Sequence, residues 1–209
     1  TPYLRHRGSG MYNNELGQAL RLMTDKAQSR PQVQELERQI TKLKARILEL
    51  ERAADTDPLL PIYNRRAFMR EINRAKNVMC RYDILSSIVY FDLNDFKTIN
   101  DRYGHAIGDD ILQGVAKVLL SSVRDCDLVA RLGGDEFGVL LFKSDAKIAK
   151  AKGAALAKSI GLLGIDMPTA RVSVTAAWGV SECEPNHDAE TILSLADKFM
   201  YLDKRNKAA

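Results

Sequence analysis

Apolar residues between positions 33 and 54 recur at alternating spacings of three and four. This spacing is a heptad repeat, whose a and d positions are held by Val33, Leu36, Ile40, Leu43, Ile47, Leu50 and Ala54. β-Branched residues at a with leucine at d favour a parallel two-stranded coiled coil, in which Arg46 at g and Glu51 at the next e can pair between chains. The alternative is a single amphipathic helix packed on its own domain.

The periodicity changes after residue 55, where helical and strand-like patterns begin to alternate. Helices are predicted over residues 65–75, 107–122, 146–163 and 189–204, the first capped by Asn64 and the last burying Leu193, Leu195, Ala196, Phe199 and Met200. Strands are predicted over residues 84–91, 128–132, 137–142 and 171–180. A separate helix is predicted upstream, over residues 14–27. The alternation predicts an α/β (α+β) fold preceded by the coiled-coil helix.

These patterns divide the chain into three segments. Residues 1–10 are interpreted as a linker or a vector-derived remnant, residues 11–55 as a helical segment for dimerisation and signalling, and residues 56–209 as one globular domain.

Composition narrows the classes of partner. No apolar run approaches the about 20 residues that a membrane span needs, so no membrane insertion is expected. The net charge is only +4 and the coil alternates charges, so no nucleic-acid partner is expected either. The three cysteines are widely spaced and suggest neither a disulfide framework nor a zinc site, which favours the cytoplasm.

Acidic residues follow two of the predicted strands. Asp92 ends a hydrophobic run, and Asp135 and Glu136 follow Gly133 and Gly134 in a tight hairpin. Glycines there would let a ligand approach the backbone closely. Each motif alone is commonly a helix cap or a simple turn. Together, if the strand ends lie side by side, they predict metal-assisted phosphoryl chemistry.

Four segments together resemble the GGDEF family of diguanylate cyclases. They are Asn64–Phe68 (NRRAF), the run FDLNDFKTINDRYGHAIGD over residues 91–109, Arg131–Gly138 (RLGGDEFG), and Tyr201–Lys204. The resemblance implies a nucleotidyl-cyclase-like GGDEF catalytic domain over residues 56–209, with a central, mostly antiparallel sheet wrapped by helices. A bacterial cytoplasmic signalling protein is expected.

The family's reaction condenses two GTP into cyclic di-GMP and two pyrophosphates at the interface of a homodimer. The resemblance implies that Asp92, the Leu93 carbonyl, Asp135 and Glu136 hold Mg²⁺ or Mn²⁺, with two ions in each GTP half-site. Asp135 or Glu136 would assist removal of the 3′-hydroxyl proton, and the sequence leaves open which of them does so. Gly133 and Gly134 belong to the same GTP-binding site.

Other positions correspond to the family's nucleotide contacts. Asn100 and Asp109 match its guanine-binding residues, and a carboxylate suits the guanine N1–H and amino group. Lys97 and Lys204 match residues that neutralise the triphosphate. His105 lies near the nucleotide in the family pattern, although a purely structural loop histidine is an equal alternative.

A possible product-binding motif precedes the hairpin. Arg124 and Asp127 form R-x-x-D, and five residues separate Asp127 from Gly133, which is the family's spacing for an inhibitory site. Arginine can bind guanine O6 and N7, and Asp can accept from its N–H groups. The resemblance therefore implies feedback inhibition by cyclic di-GMP.

Two features depart from the family pattern. Leu60 and Pro61 replace its usual Thr-Gly, which could stiffen the connection to the coil, and Trp178 stands at an unusual place in a late strand, most simply for packing. The alternative function is a catalytically silent GGDEF module that senses GTP or cyclic di-GMP. The intact acids Asp92, Asp135 and Glu136 argue against it.

Overall fold

The computed structural model describes residues 33–46, 54–166 and 171–208. The chain separates into two compact units, Thr1–Ala54 and Asp55–Ala209. In the first unit, residues 33–46 form helix α1. The predicted helix over residues 14–27 and the end of the heptad repeat at Ile47, Leu50 and Glu51 lie outside the described residues.

Helix α1 exposes the apolar face that the heptad repeat defines. Its large apolar residues are all at least half exposed: Val33, Leu36, Ile40 and Leu43. Elsewhere on the helix, the Arg38 guanidinium pairs with the Glu35 carboxylate at 2.9 Å. An exposed pair of this kind contributes little stability, so packing of the apolar face would dominate any association of this helix.

The second unit alternates helices and strands. Its helices are α2 (Arg65–Tyr82), α3 (Phe96–Tyr103), α4 (His105–Ser122), α5 (Ala146–Gly161) and α6 (Ala189–Ala208). Its strands are β1 (Tyr63–Asn64), β2 (Ser86–Leu93), β3 (Leu128–Arg131), β4 (Glu136–Phe142), β5 (Gly164–Asp166), β6 (Arg171–Ser173) and β7 (Ala176–Glu182). None of the helices in the described ranges is long and apolar enough to cross a membrane.

Five strands form the central sheet, in the order β1-β3-β4-β2-β7. The short β1 runs parallel to β3, and every other neighbouring pair is antiparallel, which confirms the predicted mostly antiparallel sheet. Strand β2 is buried along almost its whole length, because a strand pairs with each of its edges and helices cover both of its faces.

Side chains alternate between two apolar layers because successive residues of a strand point to opposite faces. Val89 and Phe91 belong to a cluster that includes buried residues of α4 and α5. Ile88 and Tyr90 belong to a second cluster, which includes buried residues of α2 and α6. The sheet is therefore covered by helices on both faces.

Several predicted boundaries were wrong, for identifiable reasons. Asn64 caps α2 as predicted, since its Oδ1 accepts from the Ala67 N–H at 3.0 Å, but the helix continues past Ala75 to Tyr82. The buried positions of α2 end at Ala75, so the periodic pattern of apolar residues that predicted the helix ends there too. The remaining turns of the helix are more exposed and do not need an apolar face. Helix α3 was missed altogether.

The predicted strand over residues 171–180 is two strands. Strand β6 pairs with β5 in a separate two-stranded sheet, while β7 joins the central sheet beside β2. At the break, Thr175 accepts from the Asn94 backbone N–H at 2.8 Å and from its side-chain amide at 2.9 Å. In α6, Phe199 is half exposed rather than buried, whereas Leu193, Ala196 and Met200 are buried.

Helix α6 lies directly on the backbone of β7 at Gly179. A Cβ atom at Gly179 would stand 2.2 Å from both the Ala196 carbonyl oxygen and the Met200 nitrogen. Backbone atoms cannot move aside as a flexible side chain can. We therefore expect Gly179→Ala to destabilise the domain by about 3 kcal/mol in urea unfolding.

The matched control is Gly161→Ala at the end of α5. The nearest atom to its added Cβ would be a Thr175 methyl at 3.9 Å, an ordinary contact. We expect its free energy of unfolding to be unchanged or raised by up to about 1 kcal/mol. Equal effects of the two substitutions would contradict the close approach of α6.

Candidate nucleotide site

The two acidic motifs meet at one edge of the central sheet. Asp92 on β2 and Glu136 on β4 are directly opposite each other in the strand register. The Leu93 N–H donates to the Asp135 carbonyl oxygen at 3.2 Å, which joins the end of β2 to the hairpin. The strand ends thus lie side by side, as the sequence interpretation required.

The hairpin uses its two glycines differently. The Leu132 N–H donates to the Glu136 carbonyl at 2.8 Å and closes the turn. A Cβ atom at Gly133 would stand 2.2 Å from Glu136 Oε2, so the missing side chain makes room for that carboxylate. Around Gly134 no atom lies within 4 Å of such a Cβ. The packing of the domain itself therefore leaves open space at Gly134.

Arg131 holds the hairpin in place. Its Nη2 and Nε donate to the Gly134 carbonyl at 2.7 and 3.2 Å, while Nη1 lies 3.3 Å from Asp57 Oδ1. Asp57 Oδ1 also accepts from the Leu59 and Leu60 N–H groups, each at 3.0 Å. The sequence analysis missed the roles of Arg131 and Asp57. Their contact joins residues 74 positions apart, which neither spacing nor periodicity links.

Packing explains why a leucine stands at position 60, where the family usually has threonine. The Leu60 side chain is 2% exposed and belongs to the apolar cluster on the α4 and α5 side of the sheet. A leucine there adds buried apolar area to the loop that Asp57 organises. Trp178 is likewise partly buried against the same cluster, in keeping with the packing role expected for it.

Acidic side chains repel one another at the strand ends, and nearby cations partly compensate their charge. Lys204 Nζ lies 2.5 Å from Asp92 Oδ1, so helix α6 supplies a cation to this carboxylate. Burial, and secondly the Asp92 charge, raise the pKa of Asp135, while Lys204 and Arg131 partly oppose that rise. Burial, and then the Glu136 carboxylate, also raise the pKa of the Tyr90 hydroxyl.

The donor chemistry fits a divalent cation shared with a nucleotide. Within the described residues, no three Asp, Glu, His or Cys side chains are arranged as a complete metal site. Mg²⁺ commonly uses one or two carboxylates and takes its other ligands from water and substrate phosphates. Asp92 and Asp135 offer that number, and the Lys204 ammonium already marks where a cation is favourable. The residues therefore fit Mg²⁺ or Mn²⁺.

A second group of predicted residues lies where α3 meets α4. A Cβ atom at Gly108 would stand 1.9 Å from Asn100 Oδ1, so this corner is tightly packed. Asn100 Oδ1 is buried and has no hydrogen-bond partner among the described residues. Asp109, the next residue along α4, is exposed. A buried amide oxygen without a partner is uncommon in folded proteins, and a donor from water or from a ligand accounts for such an atom.

Two predicted nucleotide contacts are exposed. Lys97 lies in the first turn of α3, and His105 is the first residue of α4. Gly104 separates the helices with φ of 87°, a conformation that favours glycine.

The R-x-x-D motif forms a turn before β3. Arg124 is exposed, whereas Asp127 is buried. Asp127 Oδ2 accepts from the Arg124 N–H and Oδ1 accepts from the Phe142 N–H, both at 3.1 Å. The Asp127 carboxylate thus holds the turn together and joins it to β4, in addition to any contact with a ligand.

The sheet, its helical layers and the acidic strand ends define a nucleotidyl-cyclase-like domain. Residues 54–209 match the family model described as "Diguanylate cyclase, GGDEF domain". The chain therefore belongs to the GGDEF-domain family.

Relatives support the same assignment. The chain is 40% identical over 121 residues to diguanylate cyclase A of Treponema denticola, a match covering 57% of this chain and 33% of that protein. The chain thus spans about a third of that relative.

Solved structures share the fold. The diguanylate cyclase SiaD of Pseudomonas aeruginosa, solved with its activator SiaC, matches with a TM-score of 0.76 and 26% identity, covering 93% of this chain and 75% of that one. The GGDEF domain of DgcB from Caulobacter crescentus, solved with c-di-GMP, matches with a TM-score of 0.69 and 25% identity, covering 73% and 91%.

The raised pKa of Asp135 predicts a pH-dependent gain of stability in Asp135→Asn. The folded protein binds this proton more tightly than the unfolded chain, so ionised Asp135 opposes folding at neutral pH. In metal-free buffer we expect Asp135→Asn to raise the thermal unfolding midpoint at pH 7. The gain should shrink as pH falls through the raised pKa of folded Asp135 and vanish below the usual Asp pKa, where Asp135 is neutral in both the folded and the unfolded native chain.

Asp188→Asn is the opposite-sign control. Hydrogen bonds from Thr191 lower the pKa of Asp188, so its ionised form favours folding above the usual Asp pKa. This variant should be less stable than the native chain at pH 7, with the difference lost on acidification. A loss of stability in Asp135→Asn at pH 7 would show that its carboxylate is not under electrostatic strain.

Proposed function

We propose that this chain is a diguanylate cyclase that condenses two GTP into cyclic di-GMP and two pyrophosphates. The observation that carries the proposal is the convergence of Asp92, Asp135 and Glu136 at adjoining strand ends beside the Lys204 cation. The family membership and the named cyclases among the relatives support it. The three free thiols agree with a reducing bacterial cytoplasm as the place of reaction.

Each half-reaction joins the 3′-hydroxyl of one GTP to the α-phosphorus of the other, with pyrophosphate leaving. Asp92, Asp135, Glu136 and the Leu93 carbonyl would hold Mg²⁺ or Mn²⁺, which supplies positive charge to the phosphates when bound. Asp135 or Glu136 accepts the hydroxyl proton. Lys204 neutralises phosphate charge as the nucleotide competes with Asp92 for its ammonium.

We assign the selection of guanine to the residues at the corner between α3 and α4. Asn100 and Asp109 present an amide and a carboxylate, which together complement the donor and acceptor edge of guanine. The Asn100 oxygen is buried without a partner among the described residues, and turning the amide outward toward a bound base would supply the missing hydrogen bond. Lys97 and His105, exposed on the same two helices, are assigned to the triphosphate and its surroundings.

Two GTP sites must face each other, so the active unit is a homodimer. The exposed face of Val33, Leu36, Ile40 and Leu43 supports pairing through a parallel coiled coil. Such pairing raises the effective concentration of one domain near the other without any new contact at the reacting atoms.

The first test is chromatographic detection of cyclic di-GMP after incubation with GTP and Mg²⁺. We expect product from the native chain and a loss of at least about 100-fold in Asp135→Ala, because the variant loses an acidic group at the reacting centre. Asp188→Ala, which removes the acceptor of the Thr191 N–H at the start of α6, should keep near-native turnover when the protein is folded. No product from a dimeric sample freed of cyclic di-GMP would favour the silent nucleotide sensor.

Feedback inhibition is best tested with Arg124→Ala. Asp127 supports two backbone N–H groups, so its replacement would also disturb the turn, whereas the Arg124 side chain is exposed. We expect Arg124→Ala to retain its initial rate but to need at least about tenfold more cyclic di-GMP for half inhibition, through loss of a charge-assisted bidentate contact. An unchanged inhibition curve would remove this site from the proposal.

A further inference from the structure

A groove lies between α5 and the first residues of β7, beside the loop that follows β2. We call it the α5–β7 groove; it is lined by Asn94 and Asp95 of the loop, Lys158 of α5, Trp178 of β7 and Lys204 of α6, among others. Its volume is about 850 Å³, which is within the range of small-molecule sites. The sequence analysis assigned no role to α5, because the walls of the groove come from four separate segments of the chain.

The groove adjoins the acidic strand ends. Lys204 lines it while the Lys204 ammonium lies 2.5 Å from Asp92 Oδ1, so this side chain belongs to both places. Asn94, two positions after Asp92, donates to Thr175 from its backbone N–H at 2.8 Å and from its side-chain amide at 2.9 Å. These two bonds tie the loop to the segment that enters β7. An anion displaced from the acidic site therefore meets the groove at Lys204.

Cations outnumber carboxylates in the α5–β7 groove. Among the described residues that line it, Lys158 and Lys204 are basic and Asp95 is the only acid. Helix α5 carries four lysines and no acidic residue. Of these lysines, Lys152 donates to the Ser122 carbonyl, whereas Lys158 is exposed and lines the groove. Basic groups that face a cleft attract anions more strongly than the same groups on a flat surface.

The wall of α5 beside Lys158 is made of small residues. Ala154, Ala157 and Gly161 line the groove at spacings of three and four, so they share a helix face with Lys158. A Cβ atom at Gly161 would have a Thr175 methyl, at 3.9 Å, as its nearest neighbour. These short side chains leave space for an anion beside the lysine.

We propose that the α5–β7 groove binds a pyrophosphate unit, with Lys204 and Lys158 as its two cations. Two ammonium groups in one cleft suit an anion that carries charge on two linked phosphates. The unit is either the β- and γ-phosphates of bound GTP or the pyrophosphate that leaves after attack on the α-phosphorus. This inference rests on the proposed function for the source of the pyrophosphate, but the binding itself requires no turnover.

The direct test is calorimetric titration of the full chain with inorganic pyrophosphate, in Mg²⁺ buffer without GTP. We expect the native chain to bind it and Lys158→Gln to bind it at least about fivefold more weakly. The substitution removes a charge-assisted contact from an exposed position and keeps a good helix-forming residue.

Lys147→Gln is the matched control for that titration. It removes the same charge from an exposed position of the same helix, but Lys147 does not line the groove. We expect its affinity for pyrophosphate to change less than about twofold, because solvent and salt screen a distant exposed charge. Absence of binding to the native chain, native affinity in Lys158→Gln, or equal losses in the two variants would overturn the proposal.

Steady-state kinetics distinguish the two sources of the pyrophosphate unit. If the groove holds the β- and γ-phosphates of GTP, Lys158→Gln raises KM for GTP. If it holds only the leaving group, KM is unchanged, and the added pyrophosphate that halves the rate rises by the factor found in the titration. Native values of both quantities would show that the reaction does not use the groove and would overturn the proposal.

The two experiments separate failure of this inference from failure of the proposed function. Pyrophosphate binding that depends on Lys158, with no cyclic di-GMP from the native chain, would retain the site and refute the cyclase. Product formation with equal pyrophosphate binding in the native chain and Lys158→Gln would leave the cyclase standing and refute the site. Weakened binding together with altered kinetics in Lys158→Gln supports both.

Discussion

The crowding of partly buried carboxylates at adjoining strand ends is the constraint on which the site depends. Asp92 and Glu136 are opposite each other on β2 and β4, and burial, with the Asp92 charge second, raises the pKa of Asp135. The domain offsets this cost with Lys204 from α6 and with Arg131 before the hairpin. An anionic cluster held in this way would suit the cation and the phosphate groups of the proposed reaction, at the expense of stability in the unliganded protein.

Glycines, which have no side chain, are as important to the architecture as the charged groups. Gly179 lets the backbone of α6 reach β7, and α6 is the helix that carries Lys204. Gly108 makes room for Asn100, and Gly133 makes room for Glu136. In each case a methyl group would meet an atom that the fold or the site has already placed. Close packing of the core and the geometry of the site are thus determined by the same contacts.

Several residues in or beside the proposed sites also hold the fold together. Asp127 holds its turn through two backbone N–H groups, while Arg124 beside it extends into solvent. Arg131 links the Gly134 carbonyl to Asp57, so the loop that opens the domain and the hairpin are joined through one guanidinium. Substitutions at such positions change stability and ligand contacts together, which is why their effects need paired controls.

Local patterns in the sequence were enough to determine the heptad face of α1, the Asn64 cap, the alternating elements and the two acidic motifs, since each depends on neighbours a few residues apart. They could not determine the break before β7, the exposure of Phe199, or the contact of Lys204 with Asp92. Those features follow from strand register and from helix packing on the sheet, which bring together residues far apart in the chain. The sequence therefore indicated the type of chemistry, whereas only the tertiary structure determined which neighbouring residues orient the acidic side chains and balance their charges.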